Sequence, residues 1–179
     1  MTSIPPRPIP ESYWVEAGRF LAGEYPGHPR DLEAARRITA FLDAGFDAFF
    51  DLTQEGELVP YEPLLREDAQ HYSDRTVTYR RFPIGDYGLP TTGQMKNLLD
   101  AIESALAAGH KIYLHCWGGV GRTGTTVGCW LVRRGMTGEQ SLAQLAEWWQ
   151  AVPKSVRFPH SPETEEQRGF ILNWTESEK

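Results

Sequence analysis

Several features that define particular classes of protein are scarce or missing in this chain of 179 residues. Two cysteines, Cys116 and Cys129, are too few for a disulfide framework, which favours a reducing compartment. Its 18 basic residues are outnumbered by 24 acidic ones, which argues against a surface that grips nucleic acid or an anionic membrane. No apolar run approaches the length of a membrane span, and the N-terminus lacks the apolar stretch of an export signal. We therefore expect a cytoplasmic monomer that binds neither nucleic acid nor membrane.

Metal ligands in a recognisable spacing are also missing. The five histidines stand at positions 28, 71, 110, 115 and 160. None of them belongs to the closely spaced sets of ligands that hold zinc. We expect neither a metal nor a cofactor.

The order of the predicted elements indicates a single α/β domain. Residues 3–10 carry four prolines in eight positions, so residues 1–10 are predicted to be an extended, proline-rich tail. Over residues 11–179, short apolar strands alternate with amphipathic helices, and the apolar content of 40% suits one compact core. This alternation predicts one sheet flanked by helices.

Individual elements follow from local patterns. The spacing over residues 31–44 predicts a helix with Leu32, Ala35, Ile38, Phe41 and Leu42 on one apolar face. Residues 54–73 are interrupted by prolines and carry mixed charge, which favours a loop with a short irregular helix. Thr137 with Gln140 forms a capping box that opens one helix. The last helix is predicted to begin at Ser161-Pro162-Glu163 and to run through Trp174.

The segment KIYLHCWGGVGRTG, residues 111–124, carries the most chemistry. A buried strand runs directly into a turn with three glycines and then into a helix, and ligands of α/β sheets bind at such a place. The glycines let successive N–H groups point inward at the N-terminus of the helix, which forms a nest for an anion. Arg122 adds a planar fork that holds two phosphate oxygens. The predicted phosphate-binding residues are Trp117, Gly118, Gly119, Val120, Gly121 and Arg122.

The same segment predicts a nucleophile. N–H donors, the N-terminus of a helix and the Arg122 guanidinium all stabilise a thiolate at Cys116 relative to its thiol. Cys116 would then lie beneath a bound phosphate. The alternative is a small core residue beside a tight turn.

The run His115-Cys116-x5-Arg122-Thr123 resembles the signature of the cysteine-dependent protein tyrosine and dual-specificity phosphatases. It is most similar to the cyclin-dependent-kinase-associated phosphatase type, in which an aromatic residue and two glycines likewise follow the cysteine. The resemblance extends from about Gly18 to Trp174. It implies a central mixed, mostly parallel sheet flanked by helices, with the phosphate-binding loop between a central strand and a helix.

The resemblance also implies roles for residues outside the loop. Asp86, in RFPIGDYGLP, stands thirty residues before Cys116 at the place of the general acid of the family. Gln167, in SPETEEQRGFI, matches a glutamine that positions water. Thr123 matches the hydroxyl residue that bonds the departing sulfur, and His115 orders the loop. For Asp86 and Gln167, an ordinary turn residue and an exposed helical residue are the alternatives.

These residues predict a double displacement through a cysteinyl phosphate, with phosphorylated proteins or peptides as partners. Phosphotyrosine is the expected substrate, and phosphoserine and phosphothreonine are further candidates. An inositol phosphate or another phosphometabolite is an alternative, although WGGVG has no lysine to meet extra phosphates. A second alternative is a phosphate-binding module without catalytic activity. The intact set of Cys116, Arg122, Asp86 and Gln167 argues against it. Rhodanese-like and arsenate-reducing proteins also use Cys and Arg, but they lack this paired motif.

Two features are left with open roles. Cys129 is expected to be a buried apolar residue of the helix after the loop, with a protective disulfide to Cys116 as the alternative. The cluster of Lys154, Arg157 and His160 would either contact acidic flanks of a substrate or form a solvated basic loop.

Overall fold

The computed structural model describes residues 4–176, which form a five-stranded sheet and six α-helices. The strands are β1 (Ser12–Glu16), β2 (Phe20–Gly23), β3 (Ala48–Asp51), β4 (Thr78–Arg81) and β5 (Ile112–His115). The helices are α1 (Asp31–Asp43), α2 (Glu62–Ala69), α3 (Thr92–Ala107), α4 (Gly121–Arg133), α5 (Gly138–Gln150) and α6 (Glu165–Leu172), with a 3₁₀ helix at Pro153–Val156. None of the helices in this range is long and apolar enough to cross a membrane.

The strand order β1-β2-β5-β3-β4 places β5 at the centre of the sheet. Only the β1–β2 hairpin is antiparallel, and all four residues of β5 are buried, as an interior parallel strand requires. The prediction of a mixed, mostly parallel sheet is confirmed. The register pairs His115 with both Gly23 and Asp51, and Asp51 with Arg81. The carboxyl ends of four strands therefore meet at one edge, directly beside Cys116.

Helix α4 lies at the centre of one hydrophobic layer. It packs against α3, α5, α6 and the sheet, so it is buried from Gly121 through Leu131. Gly128 allows the contact with α6, because a Cβ at this position would lie 2.2 Å from the Ile171 side chain. The opposite face of the sheet is covered by α1 and α2 over an aromatic cluster that includes Phe41, Phe49 and Tyr113. These two layers hold the N-terminus of α4 in place.

Two of the sequence-based helix predictions are wrong in part. Leu32 is 85% exposed, whereas α1 buries Ala34, Ile38, Phe41 and Leu42. At 100° per residue Leu32 is about 120° away from Ile38, while Ala34 is only about 40° away. The segment expected to be loop with an irregular helix contains the regular helix α2.

The prediction that the last helix begins at Ser161-Pro162-Glu163 is also wrong. Helix α6 begins at Glu165, because Thr164 accepts a hydrogen bond from the Gln167 N–H at 3.1 Å and completes a capping box. The hydroxyl of Ser161 instead donates to the Val120 carbonyl of the loop at 2.8 Å, four residues before the first residue of α6. The capping box of Thr137 and Gln140 is confirmed at the start of α5.

The described part of the predicted tail, residues 4–10, lies against the hairpin. The indole N–H of Trp14 donates to the Pro5 carbonyl at 2.9 Å, and Ile9 is buried. Residues 1–3 of the predicted tail lie outside the described residues.

Candidate active site

The phosphate-binding loop predicted from the sequence joins β5 to α4. Cys116 is buried at its base, and the Gly119 N–H donates to the sulfur at 3.3 Å. Gly119 has a φ of 75°, and a Cβ there would lie 2.5 Å from the carbonyl carbon of Gly23. Only glycine fits this position, and its backbone N–H is a donor of the kind that the sequence predicts around the Cys116 sulfur.

Arg122 lies in the first turn of α4. The loop and this turn form a cup around Cys116, and the Arg122 guanidinium is buried at its wall. Its two terminal nitrogens donate to the Glu57 carboxylate at 2.9 and 2.6 Å. They also donate to the Ile84 carbonyl at 2.9 Å and to the Asp86 carboxylate at 3.2 Å. The side chain thus holds together the segment after β3, the segment after β4 and the phosphate-binding loop.

Glu57 is a site residue that the sequence reasoning missed. Burial opposes its charge, but hydrogen bonds from Arg122 and Gln54 outweigh burial and hold the pKa of this carboxyl below its usual value. The two oxygens of its carboxylate each accept a hydrogen bond from one terminal nitrogen of Arg122. This bidentate pairing sets the plane of the guanidinium. The available signal was an acidic residue shortly after a strand, β3, that ends at the same edge of the sheet as β5.

We expect Glu57→Gln to raise the inhibition constant of inorganic phosphate by about tenfold, because an amide cannot hold the guanidinium fork with two oxygens. Competitive inhibition of p-nitrophenyl phosphate hydrolysis measures this constant. Glu55→Gln is the matched control, since Glu55 is exposed and lies two residues away. Equal inhibition constants for the two variants would contradict a positioning role for Glu57.

Asp86 lies in the loop after β4, at the mouth of the cup. Its Oδ1 is 3.2 Å from Nη2 of Arg122 and accepts a hydrogen bond from the Tyr87 N–H at 3.1 Å. Tyr87 has a φ of 56°, and the Gly88 N–H closes the turn on the Gly85 carbonyl at 2.8 Å. The side chain of Asp86 is 43% exposed, so its carboxylate is accessible from solvent.

A pocket of about 260 Å³ lies over the loop. Cys116, Arg122 and Asp86 all line it, and the aromatic residues Trp117, Tyr87 and Phe158 line it as well. Its other charged residues are Glu24, Lys154 and Glu163. Lys154 donates to the Glu24 carboxylate and to the Gly118 carbonyl, so this member of the basic cluster is joined to the loop. Arg157 and His160 are exposed and do not line the pocket.

Gln167 is buried in the first turn of α6, beside the phosphate-binding loop. Its carbonyl oxygen accepts hydrogen bonds from the N–H groups of Glu163 and Thr164 at 3.0 and 3.1 Å. Its amide nitrogen donates to the Gly88 carbonyl at 3.4 Å. The side chain thus joins the start of α6 to the Asp86 loop, and its role in positioning water stays a prediction.

Thr123 and His115 are both buried behind the loop. The Thr123 hydroxyl donates to the Gly23 carbonyl at 3.4 Å. His115 lies 2.7 Å from the Tyr61 hydroxyl and 3.2 Å from the Cys116 carbonyl. Burial lowers the pKa of His115 against the opposing effect of Asp51, so the ring is neutral at neutral pH. A neutral, fully bonded ring suits a residue that orders the loop.

Cys129 faces the core within α4, and both cysteines are free thiols. Burial raises the pKa of the Cys129 thiol, which makes it a poor nucleophile. Among residues 4–176, no three His, Cys, Asp or Glu side chains are grouped so as to hold a metal ion.

Comparison with known proteins gives a family match and distant relatives. Residues 27–136, more than half of the chain, match the family model described as "Polymorphic toxin system, DSP-PTPase phosphatase". The chain is 27% identical over 148 residues to "Protein tyrosine phosphatase domain-containing protein 1" of Mus musculus, covering 72% of this chain and 20% of that protein. The first curated relatives are matched over 20% to 56% of their own length.

Solved structures share the fold over nearly the whole chain. Tk-PTP in its active form is 25% identical with a TM-score of 0.64, covering 91% of this chain and 94% of that one. Kinase associated phosphatase has a TM-score of 0.69 at 17% identity, covering 90% of both chains. The catalytic core of the PP-IP phosphatase SIW14 from S. cerevisiae has a TM-score of 0.64 at 17% identity, covering 99% of this chain and 91% of that one. The last two likenesses show the fold alone.

Proposed function

Since this chain belongs to the family of cysteine-based dual-specificity phosphatases, we propose that it hydrolyses phosphomonoesters through a cysteinyl phosphate on Cys116. One observation carries the proposal: Asp86, from the loop after β4, converges on a single pocket with Cys116 and Arg122, which come from the loop after β5 and the first turn of α4. A cup that only bound phosphate would need no carboxylic acid at its mouth.

In the first half-reaction, the Cys116 thiolate attacks phosphorus and the P–O ester bond breaks. The loop N–H groups and Arg122 hold the equatorial oxygens, where charge develops. Asp86 gives its proton to the departing oxygen, so an alcohol or a phenol leaves in neutral form. Gly119, whose N–H faces the sulfur, supports this step because it stabilises the attacking thiolate.

In the second half-reaction, water attacks the phosphorus of the cysteinyl phosphate. The P–S bond breaks, Cys116 departs as a thiolate, and the Asp86 carboxylate accepts a proton from the water. Gln167 supports this geometry, because its amide ties α6 to the Gly88 carbonyl of the Asp86 loop. Thr123, which lies next to Arg122, is the further candidate to bond the departing sulfur.

We propose phosphotyrosine in proteins as the preferred substrate, with phosphoserine and phosphothreonine as further substrates. The charges around the pocket support one phosphate rather than several, because Lys154 is already paired with Glu24 and Glu163 adds a negative charge. The aromatic side chains of Trp117, Tyr87 and Phe158 offer apolar surface to a phenyl ring.

A second cavity supports a polypeptide substrate. It has a volume of about 240 Å³, shares Trp117 and Glu24 with the first cavity, and is also lined by Leu58 and Val59. Val59 is 57% exposed. An extended chain that places its phosphate over Cys116 can therefore cross Trp117 and bury an apolar side chain at Val59. A small phosphometabolite would leave this surface empty.

We expect kcat/KM for a phosphotyrosine peptide with apolar flanking residues to exceed that for a phosphoinositide or an inositol pyrophosphate by at least about tenfold. The likeness to the fold of the PP-IP phosphatase SIW14 makes a non-protein phosphate compound the competing candidate. Release of inorganic phosphate from matched concentrations of each substrate measures the ratio. A ratio in favour of the inositol compound would reject a protein as the preferred substrate, but it would agree with the proposed phosphatase activity.

The contribution of the second cavity is tested by Val59→Ser, which should lower kcat/KM for that peptide about fivefold through lost apolar contact. Hydrolysis of p-nitrophenyl phosphate, which cannot reach Val59, should not change. Val156→Ser is the matched control, because Val156 is 93% exposed and lines neither cavity.

A further inference from the structure

The segment that precedes α6 presents a carboxylate to the pocket. Glu163 lines the cavity, and its charge acts on both Asp86 and Arg122. Two hydrogen bonds anchor this segment. The Glu163 N–H donates to the Gln167 carbonyl oxygen at 3.0 Å, and the Ser161 hydroxyl donates to the Val120 carbonyl of the phosphate-binding loop at 2.8 Å. The backbone that carries Glu163 is therefore fixed relative to the loop that would carry the phosphoryl group.

An attacking water must point a lone pair at phosphorus, so both of its hydrogens need acceptors. Asp86 supplies one acceptor once it has lost its proton to the leaving group. The Gln167 oxygen cannot supply the other, because an amide oxygen has two lone pairs and both already accept N–H groups. Gln167 is also buried and does not line the cavity. Among residues 4–176, no hydrogen bond is donated to the Glu163 carboxylate, which lines the same cavity as Cys116 and Asp86.

We propose that Glu163 binds and orients the hydrolytic water in the second half-reaction, an inference that rests on the proposed function. The water oxygen attacks phosphorus, and the P–S bond breaks as Cys116 departs with the electron pair. One hydrogen of the water passes to the Asp86 carboxylate. The other stays on the oxygen and is hydrogen-bonded to Glu163. Gln167 is a positioning residue, because its side chain holds the Glu163 backbone and the Gly88 turn in place.

The electrostatic setting agrees with this assignment. Burial and the neighbouring charge of Asp86 raise the pKa of the Glu163 carboxyl, while Arg122 opposes the shift. A carboxylate with a raised pKa is a stronger hydrogen-bond acceptor than a fully solvated one. Glu163 is therefore a good acceptor for a hydrogen of the water.

Rapid-quench measurement with p-nitrophenyl phosphate tests the proposal by separating formation of the phosphoenzyme from its hydrolysis. Formation is followed by release of p-nitrophenol, and the phosphoenzyme is counted in acid-quenched samples. We expect Glu163→Ala to slow hydrolysis about 10- to 100-fold, to change formation less than about threefold, and to make phosphoenzyme accumulate. Glu163→Gln keeps one carbonyl acceptor and should recover most of the lost rate.

The matched control is Glu165→Ala, because Glu165 is two residues further along with a side chain that is 91% exposed. It should hydrolyse the phosphoenzyme at the parent rate. Parent-like hydrolysis in Glu163→Ala would overturn the proposal, and so would equal losses in formation and hydrolysis, since those indicate a charge effect on substrate binding. Turnover retained by Cys116→Ser would instead reject the proposed function itself.

Discussion

Cys116→Ser is expected to lower kcat for p-nitrophenyl phosphate by at least about 10³-fold while the chain stays folded. A serine hydroxyl is far less acidic than a thiol, so the loop donors that stabilise a thiolate cannot produce an alkoxide. The replacement is nearly isosteric, and the Gly119 N–H that faces the sulfur at 3.3 Å keeps an acceptor. Steady-state hydrolysis with EDTA present measures the loss.

Two controls make the result specific to the nucleophile. Inorganic phosphate should still protect Cys116→Ser against thermal unfolding, because Arg122 and the loop N–H groups are unchanged. Cys129→Ser should retain turnover, since Cys129 faces the core of α4 and does not line the pocket. A Cys116→Ser variant with turnover near that of the parent would exclude the cysteinyl phosphate.

Asp86→Asn is expected to lower kcat/KM for phenyl phosphate by about 10²- to 10⁴-fold, because an amide has no proton to give to the departing oxygen. The loss should be much smaller for p-nitrophenyl phosphate, whose leaving group is stable as an anion. A series of aryl phosphates with graded leaving groups measures this dependence. Its steepness in the variant, compared with the parent, reports the missing proton transfer.

The leaving-group dependence separates two roles that the structure gives to Asp86. Its carboxylate lies 3.2 Å from Arg122, so removing its charge could also act by displacing the guanidinium. Displacement of the guanidinium would reduce kcat/KM by the same factor for every aryl phosphate. That outcome would contradict the role of Asp86 as a general acid. Asp74→Asn is the control, since Asp74 pairs with Arg75 away from the pocket.

Local sequence was enough to determine the central strand, the loop and the helix that follows it. Cys116 and Arg122 lie six residues apart on a single turn, and glycines are the residues that let such a turn close. The start of α5 was readable for the same reason, because Thr137 and Gln140 satisfy each other within four residues. The start of α6 was not, because Ser161-Pro162-Glu163 offered a competing start just before the capping box of Thr164 and Gln167.

Only the tertiary structure decided which distant carboxylate holds both terminal nitrogens of Arg122. Glu57 is 65 residues from Arg122 in the chain, and the pairing of β3 with β5 brings its loop beside Cys116. The Ser161 hydroxyl donates to the Val120 carbonyl of the loop, and the amide nitrogen of Gln167 donates to the Gly88 carbonyl of the Asp86 loop. A local pattern records which side chains can bond, but competition among partners is resolved only when the sheet register brings them together.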